Sequence, residues 1–104
     1  MTELTPSELH ALLAGGDPPL LLDVREPWER EICALDGALE IPLGSLSRRL
    51  HEIPAGRTLA VICHHGVRSA LAAGFLLREG WDAVNVTGGI DRWARDVDGT
   101  MIRY

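Results

Sequence analysis

Lysine is missing from this 104-residue sequence, and all ten basic residues are arginine. That excludes Schiff-base catalysis and a phosphate-binding loop built on a lysine. Basic residues are also outnumbered by fifteen Asp and Glu, for a net charge of -5. An acidic chain with no basic cluster is a poor ligand for nucleic acid. Arg48-Arg49, the nearest approach to a patch, reads as a solvated helix face. No apolar run approaches the roughly 20 residues of a membrane span. The segment Met1 to Pro6 has neither a basic n-region nor a long apolar h-region, so no signal peptide is expected. Cysteine is scarce too: Cys33 and Cys63 are too few for a disulfide framework and are expected as free thiols in a reducing cytoplasm.

What is present fits one globular domain over residues 1–104. Hydrophobic residues make up 46% and charged residues 24%, a balance that folds rather than stays disordered. A chain of this size builds a modest core without disulfides or metal.

The pattern alternates helix and strand. Thr5-Pro6-Ser7-Glu8 reads as a capped helix start, with Leu4 and Leu9 placed as a hydrophobic staple and Gly15-Gly16 as the stop. Leu20 to Val24 reads as a strand apolar on both faces, and Pro27 opens a short helix to about Ile32. Ala38 to Ile41 is a weaker strand, and Leu43, Leu46, Leu50 and Ile53 predict a helix over about 44–52. Thr58 to Cys63 is the clearest strand, Arg68 to Glu79 a helix ending at Gly80, Ala83 to Val86 a further strand, and Gly88-Gly89 the turn into a last short helix. The segment from Val97 onward reads as irregular. Alternation of this kind implies an α/β fold, a mostly parallel central sheet with helices on both faces. Ligands then bind beyond the carboxyl ends of the strands, where Cys63 lies.

Cys63-His64-His65-Gly66-Val67-Arg68-Ser69 carries the chemistry. A cysteine ends a buried strand and a helix follows within a few residues, so the loop must turn back tightly, with Gly66 as its permissive point. Such a loop aims backbone N–H groups and a helix N-terminus at the sulfur. Arg68 and the two histidines add donors. These surroundings favour the thiolate. A lone cysteine usually packs as a small hydrophobe; the Gly and Arg at fixed offsets argue for reactivity here.

The ordered set of motifs resembles the rhodanese sulfurtransferase family. Cys63-x-x-Gly66-x-Arg68-Ser69 is similar to its active loop, Asp23-Val24-Arg25-Glu26 with Glu29 to its segment after the first central strand, Asp36-Gly37-Ala38 with Ile41-Pro42 to its Gly-Ala…Ile-Pro segment, and Gly88-Gly89-Ile90 with Trp93 to its last turn and helix. The family often has Gly-His-Ile before the Gly-Ala segment, where this chain has Cys33-Ala34-Leu35. The resemblance implies a rhodanese-like domain and sulfur transfer in two steps. Cys63 takes a sulfane sulfur from thiosulfate or a persulfide donor and passes it, as a persulfide, to a nucleophilic acceptor such as cyanide, a thiol or a sulfur-relay protein. Loop amides from His64 to Ser69 would stabilise the anionic sulfur, Arg68 would hold the donor's anionic group, and His64 and His65 would contact substrate or tune the field. No cofactor or metal is implied.

Other readings remain. Asp23 and Arg25 more simply organise the strand end by hydrogen bonds than act in catalysis. Cys33 reads as a packed thiol, His10 and His51 as surface residues, and the three tryptophans as packing or lining groups. Zinc on His64-His65 is disfavoured, because consecutive residues rarely wrap one tetrahedral ion and the sequence shows no second ligand cluster. A cysteine phosphatase or arsenate reductase of similar fold needs a wider loop, commonly about five residues between cysteine and arginine, to cradle a tetrahedral oxyanion; here four intervene. A non-enzymatic persulfide carrier or binding module is the remaining alternative.

Overall fold

The computed structural model describes residues 2–104. Five strands, β1 (Thr2–Leu4), β2 (Leu20–Asp23), β3 (Leu39–Glu40), β4 (Leu59–Ile62) and β5 (Ala83–Val86), form an all-parallel sheet in the order β1-β5-β4-β2-β3. Parallel neighbours need crossovers. Three helices supply most of them, α1 (Pro6–Leu13), α2 (Pro27–Ile32) and α3 (Val67–Arg78), and a fourth, α4 (Gly89–Asp96), follows the last strand.

The two-residue period of the strands divides the core. Leu22, Leu59, Val61 and Cys63 pack on one face with Ala72, Ala73 and Leu76 of α3. Leu21, Ala60 and Ile62 pack on the other with Leu9 of α1 and with Ile90 and Trp93 of α4. All four residues of β4 are buried, as its unbroken apolar run requires. Truncating Leu22 or Leu76 to Ala should cost about 2–5 kcal/mol.

The capping box of α1 forms as the sequence dictates: the Thr5 hydroxyl accepts from the Glu8 amide, and the Glu8 carboxylate from the Thr5 amide. The predicted helix over 44–52 is instead two stretches of 3-10 helix, Leu43–Arg48 and Leu50–Glu52. Its bonds close over three residues, as from Arg49 to Leu46 and from Ile53 to Leu50. Gly44, Ser45 and Ser47 are weak helix formers, and Pro42 and Pro54 bound the segment. Strand β1 was not legible in the sequence; it exists by pairing with β5, Glu3 opposite Asn85. Trp93 is core, edge-on to His10, whereas Trp28 is 60% exposed with its ring edge-on to Tyr104. No helix among the described residues is long and apolar enough to cross a membrane.

Candidate active site

The carboxyl ends of β2, β4 and β5 bring together the segments that follow them. After β4 the chain reaches Cys63, only 1% exposed, and turns back into α3. The Cys63 Sγ accepts from the Gly66 amide at 3.1 Å and the Ser69 amide at 3.3 Å, and lies 3.2 Å from the Ser69 Oγ. Ser69 stands in the first turn of α3, so the sulfur sits at that helix's partly positive end. Of the amides expected around the sulfur, those of Gly66 and Ser69 reach it.

Two glycines allow this geometry. Gly66 has φ +99°, and a Cβ there would lie 3.1 Å from the Gly88 nitrogen. Gly89 has φ +61°, and a Cβ there would fall 2.4 Å from the carbonyl oxygens of both Cys63 and His64. That space is needed because the first turn of α4 donates to those carbonyls, from Ile90 to Cys63 at 2.8 Å and from Asp91 to His64 at 3.1 Å. On the other side, Asn85 of β5 gives its amide to the Gly66 carbonyl at 3.1 Å and to the Glu3 carboxylate at 3.0 Å. Asn85 Oδ1 is buried without a partner.

Arg68 projects from α3 to Glu29 of α2, with Nη1 and Nη2 each 2.7 Å from a carboxylate oxygen. Glu29 is 3% exposed and Arg68 34%. The Arg68 bonds hold the Glu29 carboxyl down at about 2, with help from the Glu26 amide and the Tyr104 hydroxyl. Arg25 is wholly buried and paired with Asp23 at 2.7 Å, so this pair does organise the strand end. Burial works against the Arg25 charge, but the bonds it donates to Asp23 and Tyr104 outweigh it and stabilise the cation.

The His64 ring is sandwiched between His65 and Tyr104, each centroid 3.8 Å away. Its Nε2 is buried without a hydrogen-bond partner. Burial, then the neighbouring His65, pushes His64 below its ordinary pKa. The His65 side chain is 62% exposed, its Nε2 4.0 Å from Asp91. His64, His65 and Asp91 thus form a three-donor cluster that the sequence did not reveal, since Asp91 comes from α4. The cluster is not arranged as a chelate. The two imidazoles lie face to face, 26° apart, so their in-plane lone pairs run side by side instead of converging. Asp91 is already paired with Arg103 at 2.9 Å. Val67 is 71% exposed at the rim of the loop. Cys33 is a free, partly buried thiol on the α1–α4 side of the sheet.

The segment that carries this loop and turn matches a family model, that of the rhodanese-like domain, over residues 5–96. The chain belongs to that family. Among its relatives, "Probable adenylyltransferase/sulfurtransferase MoeZ" of Mycobacterium tuberculosis is 38% identical over 97% of this chain, which spans 26% of that protein's length. A protein of Allochromatium vinosum named "Sulfurtransferase" is 34% identical over 91% of this chain and 90% of its own. Among solved structures, a rhodanese-like domain protein from Staphylococcus aureus superimposes with a TM-score of 0.87 at 30% identity, covering 100% of this chain and 99% of the other.

Glu29, Asn85 and Tyr104 are residues of the candidate site for which sequence reasoning gave no role. Asn85 left a signal, a lone polar residue within an apolar strand. Tyr104 left none, since the segment bearing it has no periodicity.

Proposed function

We propose that this rhodanese-like domain is a sulfurtransferase that carries a sulfane sulfur on Cys63. The observation that carries the reading is the Cys63 sulfur itself, buried at the N-terminus of α3 with two amides and a hydroxyl directed at it. Donors fixed around a sulfur need no reorganisation when charge develops on it. Relatives named for sulfur transfer support the same chemistry.

In the proposed reaction the Cys63 thiolate attacks the outer sulfur of thiosulfate. A new S–S bond forms to Cys63, the S–S bond of thiosulfate breaks, and sulfite leaves with the electron pair. Cyanide or a thiolate then attacks the terminal sulfur of the Cys63 persulfide. Thiocyanate or a new persulfide departs, and the Cys63 thiolate returns. Gly66 and Ser69 hold the anionic sulfur in both resting states. Arg68, with Val67 beside it on the rim, attracts the anionic group of the donor, while His65 offers a further contact. The His64 ring is enclosed, so its part is through the backbone. A thiolate of a sulfur-relay protein accepts the sulfur by the same chemistry.

The test is direct. Protein incubated with excess thiosulfate should gain one sulfur, about 32 Da, on intact mass spectrometry, and cyanide or a thiol should remove it. Folded protein that takes no sulfur from thiosulfate overturns that donor. Failure with organic persulfides as well overturns the mechanism.

A further inference from the structure

The phenol of Tyr104 stands between two ion pairs. Its hydroxyl accepts from Arg25 Nη1 at 3.1 Å and donates to Glu29 Oε1 at 2.8 Å. The same Oε1 accepts Arg68 Nη2 at 2.7 Å. The aromatic ring lies on His64, 3.8 Å away and only 8° from parallel. One side chain therefore touches the residue after the nucleophile and the carboxylate that fixes Arg68.

We propose that Tyr104 is a positioning residue for the anionic sulfur donor: its hydroxyl leaves the Glu29 carboxylate to Arg68, and its ring clamps His64 beside Cys63. The inference rests on the sulfurtransferase reading above and names the residue that prepares the donor subsite.

The argument turns on Arg25, which is fully buried. Nε and Nη2 are occupied by Asp23 and by the Cys33 carbonyl. Nη1 has the Tyr104 hydroxyl at 3.1 Å and a longer bond of 3.3 Å to the Glu29 carbonyl. A buried guanidinium N–H that loses its acceptor seeks another, because leaving it bare costs about 1–3 kcal/mol. With the hydroxyl removed, the Glu29 Oε1 at the far end of the bridge is the next acceptor for that N–H, reached by a shift of the carboxylate toward Arg25. Arg25 then competes with Arg68 for one carboxylate oxygen. The Arg68 fork loses its two-point anchor and its fixed direction, and an anion must order it on binding. Burial raises the phenol to about 12, so Tyr104 remains a donor to Glu29 at any working pH.

Two substitutions separate hydroxyl from ring. Tyr104→Phe keeps the stack on His64 and loses the bridge; Tyr104→Leu loses both. With thiosulfate, Tyr104→Phe should raise KM by about three- to tenfold, the net worth of one ordinary hydrogen bond, with kcat within about twofold. With a neutral organic persulfide its KM should hardly move. Calorimetric titration of thiosulfate into Cys63→Ser protein, with and without Tyr104→Phe, should show the same factor in Kd and needs no turnover. The His64 ring proton resonances should persist in Tyr104→Phe and move in Tyr104→Leu. Equal KM changes with charged and neutral donors, or unchanged KM and Kd in Tyr104→Phe, overturn the hydroxyl's role. Unmoved His64 resonances in folded Tyr104→Leu overturn the clamp. Wild-type protein that transfers sulfur from no donor defeats the sulfurtransferase reading instead, while the calorimetric pair still decides whether Tyr104 governs anion binding; absence of that binding overturns the inference.

Discussion

Arg68 and Glu29 meet end to end, each terminal guanidinium nitrogen 2.7 Å from its own carboxylate oxygen, although they belong to different helices. This two-point contact ties the first turn of α3 to α2 and sets the direction in which the remaining positive edge of Arg68 faces.

Arg68→Ala should therefore raise the KM for thiosulfate by about tenfold or more, while transfer from a neutral persulfide suffers less. Arg68→Lys should restore only part, because an ammonium cannot reproduce the planar fork on Glu29. Steady-state kinetics with the two donors makes the comparison. Equal losses would mean that the pair holds the loop and does not meet the donor.

Cys63→Ser should abolish sulfur transfer with the fold intact. Cys33→Ser should retain most activity, since Cys33 lies on the opposite side of the sheet. Transfer assays with circular dichroism on both variants check this. A Cys33 variant as inactive as the Cys63 variant would require a two-thiol mechanism.

Acid should unfold the protein through Glu29. Its folded value of about 2 lies below the ordinary 4.5. A depressed carboxyl stabilises the fold above its unfolded value, and that stabilisation fades as pH falls from about 4.5 to about 2. The full span corresponds to roughly 3 kcal/mol at most. Glu29→Gln should flatten stability across that window in urea melts, from a lower starting stability. The chain has one tyrosine, so ultraviolet titration reads Tyr104 alone. Its midpoint should stand near 12 in the folded protein, because burial first and the bond to Glu29 next disfavour the phenolate. A midpoint near 10 in native protein would refute the buried bridge.

The positive-φ glycines predict a contrast. Gly89→Ala must displace the Cys63 and His64 carbonyls and should cost about 3 kcal/mol or more. Gly56, at φ +83° but with open space around it, should cost about 1–2 kcal/mol as Ala, from conformation alone. Denaturant melts of the two variants measure the difference.

Loop size yields a fifth expectation. With four residues between Cys63 and Arg68, the cradle should reject phosphate and arsenate, and calorimetry with wild-type protein should show no tight binding. Inserting a glycine after Gly66 should weaken sulfur transfer and improve binding of tetrahedral oxyanions. Tight phosphate binding by the wild type would revive a phosphatase reading.

Much of this was legible from local chemistry. The capping box at Thr5 and Glu8 and the buried run of β4 are each fixed by neighbours in sequence, and the loop from Cys63 to Ser69 carries its own Gly and Arg signal. What escaped depends on residues far apart along the chain. Strand β1 is too short to show a period and exists because β5 offers it an edge. The 3-10 stretches after Pro42 keep the apolar spacing of a helix, so their tighter bonding left no trace in the pattern. Asp91 joins His65 only once α4 is docked. Tyr104 is 75 residues from Glu29, a separation that no motif records.

Strand β1 also has a reach out of proportion to its three residues. Its Glu3 holds the Asn85 amide, the same amide holds the Gly66 carbonyl, and Gly66 donates to the Cys63 sulfur. Short edge strands are ordinarily the first part of a sheet to fray. Here fraying would loosen a line of contacts that ends on the nucleophile. Hydrogen exchange at Thr2 to Leu4 and the alkylation rate of Cys63 should then rise and fall together, making the rim of the sheet a tuning peg for its centre.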